Sequence, residues 1–446
     1  MSKEDGKKHS LESALAVGGN AVPRGRAAKV ARAAGDRLEQ MGVVDGPALE
    51  VLGKYLLELG RSGGRGKRKA HGNRRVQFDM LLTALLVGAM SGVELSLRSI
   101  EKLSVDERVV DLWNGRKLCR STVSDMMAQF DFKLLMNLMR ELARNVPTLP
   151  EAQKDPDLLK LCKRIMAIDG TIYRAATDVV WAIAYTRQNG HKTSHVRLNA
   201  MIDVLEFIPE SAGVTGKDDG AEPEAYFDKL TAGTVYVCDR NFTHFEFMRK
   251  VIEAQGDFVI RLRGDVVFDM AEDRPLPQEA IDAGVVSDQG GRLPGSKGTK
   301  GLEDQPVRVV VVKATDRTGQ EQTLRIVTSL LDVEAAVIGK LYRCRWQIEL
   351  FFRWLKCVAG CKHLLSHSRQ GVEVQFYLAM IMALLSFLRH GRRLGKHQLA
   401  ALQMVAQGNM SAKGYAWFAD RREREAMLER TRRDRKKAEA AAAKKA

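Results

Sequence analysis

The sequence predicts an α/β fold: a mixed sheet with helices on both faces, a β-rich insertion within it, and helical regions flanking it on either side. Three observations predict this. Between residues 161 and 262, short apolar runs of strand length alternate with helical patterns. A Gly- and Pro-containing stretch with two further strand patterns follows over residues 263–332. Before and after these segments, apolar residues recur at helical spacing.

The elements follow in chain order. Residues 1–75 are poor in aromatics and rich in Gly, Ala, Lys and Arg. They read as a basic, flexible region with an amphipathic segment near Leu49 to Leu59. The run from Arg61 to Arg75 holds seven Lys and Arg side chains and no acid, and such a run binds phosphates without reading sequence. Residues 76–160 read as a helical domain. Met80, Leu81, Ala84, Leu85 and Gly88 recur at helix spacing, and Ser121-Thr122-Val123-Ser124 offers a hydroxyl cap at a helix entry. Over 161–262, Lys163 to Asp169 is an apolar strand ending in an acid. Val179 to Thr186 and Val196 to Phe207 are two further strands, joined through the turn-like Gln188-Asn189-Gly190. Pro223 to Leu230 is a helix, Thr234 to Cys238 a fourth strand with Asp239 at its end, Thr243 to Gln255 a helix and Asp257 to Leu262 a strand. Three strands, helix, strand, helix, strand is the order of an RNase-H-like fold.

Residues 263–332 then form the inserted β-rich subdomain, with strands at Val307 to Lys313 and Gln322 to Thr328. Residues 333–390 return to the core with one long helix from about Val333 to Val358 and another from Val372 to His390. Residues 391–446 are a basic helical region. Its tail, Arg421 to Ala446, reads as a solvated helix or a DNA-contacting arm. No internal repeat recurs at a fixed period.

Composition narrows the function. A chain of 446 residues with 45% apolar side chains can build two or three sizeable cores. A formal net charge of +16 favours a polyanionic partner, most often nucleic acid, over a membrane-surface or ribosome-like role. The N-terminus lacks a signal-type apolar core, and no uncharged apolar stretch reaches the roughly 18 residues of a membrane span. The nearest, Phe376 to Leu388, reads as a buried helix. Six scattered cysteines argue against a disulfide scaffold and fit a reducing cytoplasm.

Two acids, Asp169 and Asp239, end strands that lie side by side in this fold. Their repulsion and desolvation call for a cation. A third acid from the long helix would complete a hard oxygen site suited to Mg²⁺ or Mn²⁺. Two such ions suit phosphodiester chemistry. On that helix, at about 100° per residue, Tyr342, Arg345, Glu349 and Lys356 fall within about 60° of one another. One carboxylate is thus flanked by a phenol, a guanidinium and an amine, groups that hold phosphates. Trp346 and Trp354 fit the core better than base stacking.

Tyr342-x2-Arg345-x3-Glu349-x6-Lys356 resembles the Tyr-Arg-Glu-Lys signature of bacterial insertion-sequence transposases of the insertion-sequence-four type. Asp169-Gly170-Thr171 resembles that family's first acidic motif, and Asp239-Arg240-Asn241-Phe242 its second. Thr328-Ser329-Leu330 and Leu364-Leu365-Ser366-His367-Ser368 are also similar to family sequence. The resemblance covers roughly residues 78–390. It implies a DDE transposase: Asp169, Asp239 and Glu349 as catalytic metal ligands for two Mg²⁺ or Mn²⁺ ions, and Tyr342, Arg345, Lys356 and Arg240 as DNA contacts. Cut-and-paste movement of an insertion sequence is the implied reaction, through metal-dependent strand cleavage and strand transfer. The implied partners are double-stranded DNA, the terminal inverted repeats and target DNA, with a homodimer assembled on DNA and no membrane. The implied location is the bacterial cytoplasm, associated with the nucleoid. The gaps of 70 and 110 residues between the three acids leave room for the insertion in the second gap.

Two departures stand out. Asn241 replaces the usual Gly, and Asn tolerates a left-handed turn. The insertion has no Trp, and its one aromatic is Phe268, where related enzymes use an aromatic to hold a flipped base on the hairpin route. Other readings differ in class. Cys357, Cys361, His363 and His367 suggest zinc, but C-x3-C at a helix end is an unusual spacing for it. An inactive or domesticated DNA-binding derivative would have lost an acid, and all three are present. A standalone RNase-H-like nuclease would not need the basic flanks and the insertion.

Overall fold

A computed structural model describes residues 26–443, except 41–45, 63–75, 91–94, 108, 114, 147–154, 162–163, 177, 187–190, 207, 296–299, 316–318, 358–360, 362, 391–394 and 407. The basic run expected at 61–75 and the turn expected at 188–190 thus lie wholly or largely outside the described residues. The chain divides into two compact units. One comprises Met1–Leu134, Cys357–Gly360 and Ile381–Ala446; the other comprises Leu135–Lys356 and Cys361–Met380.

The first unit is helical: α1 (Arg26–Gln40), α2 (Gly46–Leu59), α3 (Phe78–Met90), α4 (Leu97–Leu103) and α5 (Arg120–Gln129). Helix α3 is apolar except for Asp79 and Thr83, and it is buried, as befits a core helix. Phe78 packs edge-on against Phe130, with centroids 5.0 Å apart. Helix α5 begins at Arg120 behind Cys119 without a side-chain cap, so the expected hydroxyl cap is not used there.

The second unit opens with α6 (Phe132–Arg144) and α7 (Pro156–Lys160) and is built on one ten-stranded sheet. Its strands are β1 (Arg164–Ala175), β2 (Ile183–Thr186), β3 (Lys192–Asp203), β4 (Ile208–Thr215), β5 (Thr234–Cys238), β6 (Asp257–Arg261), β7 (Asp269–Asp273), β8 (Val285–Leu293), β9 (Leu302–Thr315) and β10 (Glu321–Thr328). The order is β2-β3-β1-β5-β6-β10-β9-β8-β7, with β4 also paired to β3. The β1-β5-β6 centre is parallel and the flanks are antiparallel. Every residue of β5 is buried, which is why it reads as an unbroken apolar run. Helices α8 (Phe245–Glu253) and α9 (Gln278–Asp282) follow β6's neighbours in the chain. They precede α10 (Ala335–Cys344), α11 (Trp346–Cys357) and the start of α12 (Arg369–His390); the rest of α12, together with α13 (Lys396–Ala406) and α14 (Ala412–Ala443), belongs to the first unit.

Several expectations are revised. The strand expected at 179–186 shrinks to β2, and β4 was not foreseen because Pro209 and Gly213 break its apolar alternation. Strand β1 runs six residues past Asp169, since β3 pairs along its whole outer half. The strands of the insertion do not form a separate sheet: β10 pairs antiparallel with β6, so the insertion extends the central sheet. The long helix expected at 333–358 is two helices, α10 and α11. They meet at Arg345, whose backbone N–H turns to the Tyr342 carbonyl. Helix α12 outgrows the apolar stretch read from sequence. It is long and apolar enough to cross a membrane, but 89% of its most apolar window is buried inside the protein.

Candidate active site

The register of β1 and β5 builds the site. Ala167 pairs in parallel with Val237, so two residues further on Asp169 comes level with Asp239. Asp169 lies mid-strand, held opposite Ala200 of β3, rather than at the strand end expected from sequence. Its Oδ1 accepts the Gly170 N–H at 2.8 Å. Asp239 follows the fifth strand, not a fourth. It caps a 3-10 turn over Arg240–Phe242 by accepting the Asn241 N–H at 2.8 Å. That turn needs no left-handed residue: among the described residues only Gln255 is a non-glycine with positive φ. The tolerance of Asn for left-handed backbone is therefore not used at Asn241.

Helix α11 brings the third acid. Arg345 donates from Nη2 to Glu349 Oε1 at 2.6 Å, and its Nη1 lies 3.8 Å from Asp169 Oδ2. The guanidinium also sits 5.8 Å from the Tyr342 ring centroid. One arginine thus ties Glu349 to Asp169. Burial raises the Tyr342 phenol above its ordinary range, with Arg345 opposing. Lys356 turns toward β1. It donates to Thr171 Oγ1 at 2.6 Å and to the Ile172 carbonyl at 3.2 Å, 4.8 Å from the Tyr173 ring centroid. Arg240 is exposed beside Asp239. All seven residues singled out from sequence therefore fall around one edge of β1 and β5.

Sequence reading missed a fourth acid. Glu222 begins the 3-10 segment Glu222–Lys229, and Tyr226 of that segment donates to the Asp169 carbonyl at 2.8 Å. An acid ahead of a Pro at a helix start is ordinary N-terminal chemistry, so nothing in the sequence set Glu222 apart. Burial pushes the Asp169 carboxyl up to about 7, the charges of Asp239 and Glu222 add to the rise, and Arg345 opposes it. Burial also raises Glu222; Arg197 and the Gly170 backbone N–H oppose the rise and Asp239 adds to it.

Such a set suits a hard divalent cation, whose charge relieves repulsion among buried carboxylates. Two local observations fit one: Glu222 Oε1 is buried without a hydrogen-bond partner, and a Cβ on Gly170 would collide with that oxygen. Among the described residues, no three His, Cys, Asp or Glu side chains are gathered closely enough to share one ion, and Arg345 stands between Asp169 and Glu349.

The raised Asp169 has a measurable consequence. Its folded value of about 7 exceeds the ordinary 3.8, so the folded state binds this proton more tightly than the unfolded chain. The associated stability is fully present below about pH 4 and is lost as pH rises through about 7. Asp169→Asn is expected to stabilise the metal-free protein by about 2–4 kcal/mol at pH 8 and by little at pH 4. Thermal melts across that range check it; an equal melting temperature at pH 8 would contradict it.

Other residues take up packing roles. Phe268, the insertion's one aromatic, packs on the core cluster around β5 and β6. Trp354 lies parallel to Phe351, with centroids 6.5 Å apart, in keeping with a core role; Trp346 is 38% exposed, against expectation. Of the cysteines and histidines weighed for zinc, Cys361 is buried, Cys357 is exposed, and His367 Nδ1 lies 3.4 Å from Asp178 Oδ2. The His367 carbonyl accepts from Trp181 Nε1 and the His363 carbonyl from Gln375 Nε2, which pins the segment before α12.

Comparison with known proteins places this geometry. The chain is 29% identical over 176 residues to the transposase-named protein y4zB of Sinorhizobium fredii, covering 40% of this chain and 48% of that one. It is 26% identical over 226 residues to a transposase-named protein of insertion sequence element IS5377 from Geobacillus stearothermophilus, covering 50% and 56%. The chain thus spans about half the length of the curated relatives it matches. A cryo-electron microscopy structure of a piggyBac transposase synaptic complex with hairpin DNA aligns over 84% of this chain and 82% of that one. Its TM-score is 0.38 at 10% identity, too remote to support an argument. The family model of the transposase DDE domain matches residues 160–385, which is 226 of the 446 residues and includes Asp169, Asp239 and Glu349. The chain belongs to the transposase DDE domain family.

Proposed function

We propose that this chain is a DNA transposase that cleaves and rejoins the ends of an insertion sequence, with Asp169, Asp239 and Glu349 as its catalytic carboxylates. The observation that supports it most is the β1-β5 register, which levels Asp169 with Asp239, together with Arg345 linking Asp169 to Glu349. We read the β4-β3-β1-β5-β6 portion of the sheet as an RNase-H-like core, because three antiparallel strands beside two parallel ones carry the acids at its centre. The Tyr342, Arg345, Glu349 and Lys356 spacing supports membership of the insertion-sequence-four type. Domain divisions at 75, 160, 262, 332 and 390 fit this reading, with the segment 263–332 extending the central sheet.

In this reading Asp169, Asp239 and Glu349 hold two Mg²⁺ or Mn²⁺ ions, which would activate a water or 3′-hydroxyl and stabilise the leaving oxygen. Arg345 and Lys356 hold phosphates beside the carboxylates, and Arg240 meets DNA from its exposed position. The buried Tyr342 ring orients Arg345. Tyr226 steadies the backbone of Asp169 through its hydroxyl. The deciding experiment incubates the protein with linear DNA bearing the element's own terminal inverted repeats, with Mg²⁺, with Mn²⁺ and with EDTA. Cleavage at the element boundary with either metal and none in EDTA is expected; full cleavage in EDTA would rule the mechanism out.

The DNA contacts have their own test. Arg345→Ala and Lys356→Ala should each weaken end binding and lower the slope of log affinity against log salt by about one. Gel-shift titrations at several salt concentrations measure this. Unchanged slopes would assign both side chains to the fold alone, through the Glu349 and Thr171 contacts.

The active assembly in this proposal is a homodimer on DNA, because two ends must be held together and each chain has one such triad. Mixing Asp169→Asn protein with protein truncated after about residue 420 should restore paired-end products. Absence of rescue with a monomeric mass for the DNA complex would refute sharing between subunits.

A further inference from the structure

We propose that Glu222 is a fourth carboxylate of the metal site, a ligand of the divalent cation directly or through a water, and that Gly170 is glycine in order to admit it. The inference rests on the reading of Asp169, Asp239 and Glu349 as metal ligands and extends it to a residue outside the triad.

Four observations carry it. First, Glu222 is fixed in place rather than loosely exposed. It starts the 3-10 segment at Pro223, and Tyr226, one turn on, donates to the carbonyls of Asp169 and Ala200 at 2.8 and 3.2 Å. The segment is thereby clamped across β1 and β3 at the level of Asp169. Second, the side chain is 12% exposed, and Oε1 is buried with no donor in good hydrogen-bond geometry: the one backbone N–H that faces the Glu222 carboxylate, that of Gly170, is bonded to Asp169 Oδ1 at 2.8 Å. A buried carboxylate oxygen without a donor is costly unless a cation or an ordered water meets it. Third, the neighbouring cation does not meet that oxygen: Arg197 Nε lies 3.9 Å from Oε2, the other oxygen. Fourth, Gly170 directly follows Asp169, and a Cβ there would overlap Glu222 Oε1 and press on Arg197 Cδ at 2.9 Å. Gly170 is absent from the glycines with positive φ, so its backbone does not require glycine; a Cβ there would instead have to push the Glu222 carboxylate and the Arg197 side chain aside.

The competing explanation is structural, with Glu222 serving only as the partner of Arg197. The two differ in what a metal sees. If Glu222 is a ligand, removing its charge weakens metal binding and removing Arg197 does not. If it is only a partner of Arg197, both substitutions perturb the protein alike and neither acts on metal affinity specifically.

The test is Mn²⁺ binding to the full-length protein without DNA, by calorimetry and by the electron paramagnetic resonance signal of free Mn²⁺. Unaltered protein, Glu222→Gln, Glu222→Asp, Gly170→Ala, Arg197→Met and Asp169→Asn are compared, with melting curves as the folding control. Glu222→Gln is isosteric and should stay folded, while its Mn²⁺ affinity falls by about tenfold or more. Glu222→Asp should recover part of the loss. Gly170→Ala should lower affinity like Glu222→Gln by displacing the carboxylate, and Arg197→Met should keep it. Wild-type affinity and stoichiometry in Glu222→Gln, with binding lost in Asp169→Asn, would overturn this inference and leave the triad standing. A protein that binds no Mn²⁺, or binds it undiminished in Asp169→Asn, would overturn the triad reading and this inference with it.

Discussion

Asp169→Asn, Asp239→Asn and Glu349→Gln are each expected to reduce end cleavage by on the order of a thousandfold or more while leaving DNA binding nearly unchanged. Each swap keeps the shape of the side chain and removes one negative oxygen from a site whose proposed work is to hold divalent metal. The structure adds a distinction among the three. Asp169 is the most strained by burial and neighbouring charge, so its amide should melt higher than the parent at pH 8. Glu349 is paired with Arg345 at 2.6 Å, so its amide gains no such relief. Cleavage assays on end-bearing DNA, gel shifts and melts on the same preparations separate these effects. An amide variant with near-parental cleavage would remove that residue from the triad. Loss of DNA binding in parallel with cleavage would mean that the substitution damages the fold.

The largest stability effect is expected away from the site, at Arg308. Its side chain on β9 is 4% exposed and pairs with Asp288 on β8, itself 5% exposed. The guanidinium bonds the carboxylate through Nε and Nη2, and also reaches the carbonyls of Leu330, Leu331 and Val333. Those carbonyls belong to the turn that delivers the chain into α10 and then to Arg345 and Glu349. Asp288→Asn leaves a buried guanidinium without its counter-charge, which costs about 3–5 kcal/mol. Arg308→Lys should destabilise by a similar amount, because an ammonium cannot reproduce the planar fork. Denaturant melts measure both. A loss below about 1 kcal/mol in both variants would show that water replaces the lost partner. Because this pair anchors the entry to α10 and α11, both variants should also slow cleavage at temperatures where they remain folded.

Much of the fold is legible in the sequence because local patterns and tertiary burial agree there. The β5 residues Thr234 to Cys238 form an apolar run because the strand is buried on both faces of a parallel centre. Helix α8 and strands β6, β9 and β10 follow their periodicity in the same way. Tyr342, Arg345 and Glu349 come together because helical spacing is a local property, and their contacts survive the break at Arg345, where the backbone stays in the right-handed helical region. Asp169 and Asp239 are each legible as an acid beside an apolar strand run, whereas the parallel register that levels them is a tertiary pairing.

Other features depend on contacts between residues far apart in sequence. Strand β4 exists because β3 offers it a hydrogen-bonding edge, which overrides Pro209 and Gly213. The insertion extends the central sheet because β10 finds the edge of β6, a pairing no short-range pattern encodes. Lys356 meets Thr171 across 185 residues of sequence, and Arg308 meets Asp288 inside the sheet. Glu222 is an unremarked acid before a proline until folding sets it against Asp169 and Gly170. Residue type and spacing determined by themselves which carboxylates and cations this chain offers and which of them share a helix face. Only the tertiary structure decided which of those charges are buried together, because burial and electrostatic coupling depend on distances in space that the chain's own periodicities do not specify.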